Sequence, residues 1–189
     1  MRDPTNDEID GLIEANPLGL VMTMRLGEAR STRLPLLLSR DEDPLGVIEG
    51  HFDAADDQVA ILRSDPRALI AFNGPGGYLP SSSLRSRDRA PAWFHASVEF
   101  LVEIEFLDRR SDALASLVRL VGTFEERVGN RLGAPELERI CEPLLEGVRP
   151  FKAWVLRVRP DFRLGEDMQP GEIETRSTPL AAMAGASSR

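Results

Sequence analysis

The chain has few of the residues on which most catalytic and structural chemistry is built. In 189 residues it carries one cysteine, two histidines and one tyrosine. The single Cys141 excludes an internal disulfide framework. In the apolar helical context LERICEPLL it reads as a buried thiol rather than a nucleophile. His51 and His95 lie far apart in sequence and offer no metal-ligand spacing, so no metal site is expected. Of the 23 basic residues only Lys152 is a lysine. No apolar run approaches the roughly 18 residues of a membrane helix. The acidic opening MRDPTNDEIDGL is not a secretory signal, so a cytoplasmic protein with no membrane partner is expected. The formal net charge is −8, which counts against direct DNA binding, because DNA binders neutralise phosphates with a basic face.

What is present is a core and a clear succession of periodicities. The hydrophobic fraction of 42% is sufficient for one domain of this length. Residues 1–170 are expected to form it, with a helical segment near 111–147, and 171–189 read as a disordered tail of small polar residues. NDEIDGLIEANP places Ile9, Leu12 and Ile13 at helical spacing and ends at Pro17. LGLVMTMR, STRLPLLLSR, LGVIEGHF, RALIAFNG, WFHASVEFLVEIEFLDR and FKAWVLRV read as six strands. In the fifth, Val98, Phe100, Val102, Ile104 and Phe106 alternate with glutamates, the period of a half-buried strand. AADDQVAILRSDP reads as a short helix. Ser111 is expected to cap the helix DALASLVRLVGTFEERV, with Leu114, Leu117, Val118, Val121 and Phe124 on its apolar face. The helix APELERICEPLLEGV must bend or restart at Pro143. Strands first, then helices, then a last strand favour an α+β, mainly β, barrel over a doubly wound sheet.

The loop AFNGPGGYLPSSSLRSRDRAPAWFH concentrates glycines, serines, arginines and aromatics. GPGGYL lacks the third glycine of a dinucleotide fingerprint, and GPGGYLPS has no Lys-Ser/Thr for a P-loop. Ser81–Ser83 do not sit in a G-x-S-x-G elbow. Two readings stay open. Ser81 and Ser82, followed by Arg85, Arg87 and Arg89, can hold a terminal phosphate through charge-assisted hydrogen bonds; equally, they can form a solvated loop. Trp93 and Phe94 can pack on a planar ring or in the core.

Several linked segments, ANPLGLVMT, STRLPLLLSRD, IEGHF, ALIAFNGPGGYLPSSS, APAWF and PFKAWVLRV, occur in the order found in PaiB-type proteins of the FMN-binding split-barrel superfamily, which the chain resembles over residues 8–165. That family is often described as negative transcriptional regulators. The resemblance implies a six-stranded split β-barrel with flanking helices, a homodimer, and FMN in a groove at the dimer interface. The residues it nominates around FMN are Thr32, Arg33, His51, Ser81, Ser82, Arg85 and Trp93. It implies a transcriptional regulator or a flavin-dependent redox protein, and leaves open whether the chain is an enzyme. The chain departs from the family at Leu84, Phe94–His95, Glu99, Ala54–Asp57 and Arg163–Asp167. Asp56 and Asp57 would repel a phosphate dianion. The alternative expectation is therefore a degenerate barrel without tight FMN binding, serving as a non-enzymatic small-molecule-binding or regulatory dimer.

Overall fold

The computed structural model describes residues 3–81 and 91–163. Helix α1 (Asn6–Ala15) begins at a reciprocal cap. The Glu8 N–H donates to the Thr5 hydroxyl, and the Thr5 N–H donates to the Glu8 carboxylate, so two donors left over at the helix start are satisfied. Its buried stripe is Ile9, Leu12 and Ile13. The chain continues through β1 (Leu18–Arg25), β2 (Glu28–Pro35), β3 (Leu37–Ser39), β4 (Val47–Asp53), α2 (Asp57–Ser64), β5 (Arg67–Asn73) and β6 (Gly77–Leu79). It ends with β7 (Ala92–Phe106), α3 (Arg110–Arg127), α4 (Ala134–Cys141), a short 3-10 helix (Glu142–Glu146) and β8 (Val148–Arg163).

The strands pair antiparallel in the order β2-β1-β5-β7-β8-β4-β3, with β6 added on β7. The ladder is not a closed ring, yet its two ends are consecutive pieces of chain: β2 pairs with β1, β3 pairs with β4, and only Leu36 separates them. One bent segment thus hands the sheet from one edge to the other, which makes a split barrel. Leu36 is fully buried at this seam, and its N–H donates to the Pro17 carbonyl. It fits because Gly19 and Gly50 lack side chains; a Cβ on either would run into the Leu36 side chain. The barrel interior is built from alternate positions of each strand, among them Val21, Ile48, Ile70, Val98 and Ala153. Four fully buried phenylalanines anchor it, Phe52 against Phe151 at 5.1 Å and Phe72 edge-on to Phe100 at 6.0 Å.

The expected α+β split barrel with flanking helices is the fold observed, with eight strands in place of six. STRLPLLLSR breaks at Leu36 into β2 and β3, and Gly77–Leu79 pairs as β6. The final strand also runs on to Arg163, because a bulge at Leu156 shifts its register on β7. The helix restarts at Pro143 as expected, as a 3-10 turn. Two details of α3 differ. Its N-cap is Arg109, with no side-chain cap, while Ser111 lies inside the helix and donates to Asp112. Its fully buried positions are Ala113, Ser116, Leu117 and Leu120. The helix is therefore rotated to place Ser116 and Arg119 over Glu49 on the outside of β4.

Candidate functional site

Neighbouring residues on a strand point to opposite faces, and this decides what β2 can offer. Thr32 faces α2, where it joins a closed polar network. The Thr23 hydroxyl donates to Gln58 Oε1 at 3.0 Å, Gln58 Nε2 donates to the Thr32 hydroxyl at 2.8 Å, and Thr32 donates to Asp56 at 2.7 Å. Asp56 also caps α2 through the Gln58 N–H. A threonine hydroxyl has one proton, and that of Thr32 is committed to a carboxylate. Arg33 points the other way, exposed and without a hydrogen-bond partner among the described residues.

His51 lies on β4 beside Pro150 of β8. Its ring is half-buried, and Nδ1 is enclosed with no hydrogen-bond partner among the described residues. Burial pushes its pKa below the usual 6.5, so the neutral imidazole prevails. Ser81 is exposed, just past β6. Ser82 and Arg85, together with the expected tail 171–189, lie outside the described residues. Trp93 stands 69% exposed on β7, paired with Tyr78 of β6, their ring centroids 5.4 Å apart. Two residues further along β7, His95 is hydrogen-bonded to Asp161 of β8 at 3.0 Å. That contact, with a second from Arg163, holds the Asp161 pKa below the ordinary carboxylate value.

Within one chain the structure brings Thr32 to Asp56 and Gln58 and does not bring the nominated residues to one point. Arg33 shares a cross-sheet row with Leu20, Ala71 and Glu99. Trp93 is six residues from Glu99 along β7, about 20 Å at strand rise. A surface that sequence reading did not nominate lies along the Arg33 row, with Met22, Leu69 and Leu101 on the side away from Trp93. The outward positions of β1, β5 and β7 include Leu18, Leu20, Met22, Leu69, Ala71 and Leu101, aligned across the strands. Leu18 and Leu101 are exposed, and the rest are half-buried. Beyond Leu101, the bulge turns Arg157 and Arg159 outward on β8. The result is a sheet face that is apolar across β1 and β5, with Arg33 on one side and, beyond Leu101 and Glu99 of β7, two arginines on the other. Its signal was available, because LGLVMTMR is apolar at nearly every position rather than at alternate ones.

A family described as "Putative FMN-binding domain" matches residues 1–157. The chain belongs to this FMN-binding family. It is 28% identical over 163 residues to the protease synthase and sporulation protein PAI 2 of Bacillus subtilis strain 168, covering 85% of this chain and 77% of that protein. Among solved structures it is similar to the flavocytochrome Anf3 of Azotobacter vinelandii, with a TM-score of 0.59 at 15% identity over 93% of this chain and 85% of that one. A FAD- and heme-binding protein of Mycobacterium smegmatis superposes with a TM-score of 0.53 at 12% identity, over 97% and 96% of the two chains. These two likenesses show the fold alone. Among the described residues, no helix is long and apolar enough to cross a membrane.

Proposed function

We propose that the protein is a homodimer that binds FMN between its subunits, serving as a flavin-dependent redox protein or a regulator that reads flavin state. The apolar outer face of β1, β5 and β7 carries this reading. An exposed patch of this kind marks an association surface, and the two-fold pairing of one patch with itself is the commonest closed assembly. A dimer also answers the separation of Arg33 from Trp93 along the sheet, since the flavin contacts can then come from both chains.

The residues fit the cofactor in part. Arg33 is an uncommitted cation for a phosphate, Trp93 offers a free aromatic face, and the orphan Nδ1 of His51 is a polar atom awaiting a partner. When bound, FMN supplies hydride and single-electron transfer; the chain's part is to hold it and keep water from it. Thr32 does not fit, because Asp56 already takes its proton. That observation favours a second reading, a degenerate barrel that has lost tight FMN binding and holds another small molecule. A titration of the purified protein with FMN, followed by flavin fluorescence, separates the two. Saturable quenching at micromolar FMN is expected, and its absence at tens of micromolar would overturn the first reading. No mobility shift of upstream DNA is expected at a net charge of −8; a specific, salt-insensitive shift would overturn that.

A further inference from the structure

A cleft of about 260 Å³ opens between α1 and α3 over β3. None of the residues nominated for FMN lines it. Its volume falls just below the roughly 300–1,000 Å³ of sites for drug-sized ligands, a size that suits a small metabolite better than a flavin. Ile13, Leu37 and Leu38 line it with apolar surface, and its walls carry opposite charges, Asp10 and Glu14 on α1 against Arg119 and Arg127 on α3.

Two of these charges are already neutralised. Asp10 receives Nε and Nη2 of Arg40. Glu49, which is buried, takes the Ser116 hydroxyl and both Nε and Nη2 of Arg119 on its Oε2. Its Oε1 accepts nothing among the described residues, although Glu49 lines the cleft. The Glu14–Arg127 pair is unusual in another way. Arg127 Nη1 donates to the Glu14 backbone carbonyl at 3.2 Å, while the Glu14 carboxylate accepts no hydrogen bond among the described residues. The two walls meet at these residues without their opposite charges pairing.

We propose that this cleft binds a small zwitterion, a free α-amino acid with an aliphatic side chain. Its carboxylate meets the open N–H groups of Arg127, its ammonium meets Glu14 and the free oxygen of Glu49, and its side chain lies on Ile13, Leu37 and Leu38. A simple anion would face Glu14 and a simple cation would face Arg127; only a ligand carrying both charges answers both walls.

Calorimetric titration of the full-length protein with L-leucine tests this, beside 3-methylbutylamine, which lacks the carboxylate, and 4-methylpentanoate, which lacks the ammonium. L-leucine is expected to bind saturably with a Kd below about 1 mM, and each truncated ligand at least about tenfold more weakly. Glu14→Gln and Arg127→Gln are each expected to weaken L-leucine about three- to tenfold, with circular dichroism and FMN titration unchanged because both side chains are exposed. No saturable heat up to about 10 mM, truncated ligands that bind as well as L-leucine, or variants that bind like the parent would each overturn the assignment. FMN quenching is read separately on the same samples, so loss of one activity does not imply loss of the other.

Discussion

Leu26 sits at the tip of the β1–β2 hairpin with φ +52° and is 97% exposed. Arg25 pairs with Glu28, so Leu26 and Gly27 form a two-residue turn with positive φ at both positions. That geometry prefers Asn-Gly, because asparagine hydrogen-bonds locally in the left-handed region, where a leucine costs about 1 kcal/mol or more. Leu26→Asn is expected to raise Tm by about 2–4 °C, measured by thermal melting; an unchanged Tm would mean the turn holds no such strain. His51 gives a pH signature. Burial favours its neutral form, so the unfolded chain takes up a proton more readily than the folded one. Stability from this group is therefore full above the ordinary pKa of 6.5 and declines as pH falls below it. The Tm drop between about pH 7.5 and pH 5.5 should be larger for the parent than for His51→Gln, and equal drops would remove His51 from the account.

At the scale of elements, the seam at Leu36 is the most demanding piece of packing. Gly50 is an unremarkable residue in LGVIEGHF, and nothing local shows that a side chain two strand segments away needs its missing Cβ. Gly50→Ala is expected to cost about 1–3 kcal/mol through overpacking, read by urea denaturation, and Leu36→Ala in the same chain should recover part of it by vacating the space. A cost that is merely additive would separate the two residues. The Gln58 network makes a second demand, since Gln58 is buried and its amide satisfies both Thr23 and Thr32. Gln58→Leu strands the Thr23 hydroxyl and leaves Thr32 bonded to Asp56 alone, and is expected to cost about 1–3 kcal/mol. These dependencies explain what sequence reading reached. β7 was legible because its alternation reports which side of a strand is buried, and β1, β4 and β5 because each is a short, largely apolar run bounded by turn residues. The break at Leu36, the bulge at Leu156 and the rotation of α3 were not, because each is set by partners distant in sequence. Ser111 is a good cap by composition, but α3 starts one residue before it, after Arg109.

On the scale of the whole molecule, the candidate site was legible in composition but not in placement. Arg33, His51 and Trp93 are the residue types a flavin needs, and they stand on separate strands with Arg33 and Trp93 far apart along the sheet. Thr32 and Arg33, adjacent in sequence, look like partners for one phosphate until the strand sends them to opposite faces. The proposed two-copy site would account for this spread, with the copies meeting on the outer face of β1, β5 and β7. Leu101 is exposed and sits opposite Leu69 on β5. Leu101→Asp adds a charge that a solvated monomer tolerates and a self-paired apolar interface does not, because desolvating the carboxylate costs more than its cross-strand neighbour Arg157 returns. The parent protein is expected to sediment as a dimer and Leu101→Asp as a folded monomer, with FMN quenching lost in step with dimerisation across a concentration series. A parent that sediments as a monomer and still quenches FMN would place the flavin within one chain and take the interface out of the mechanism.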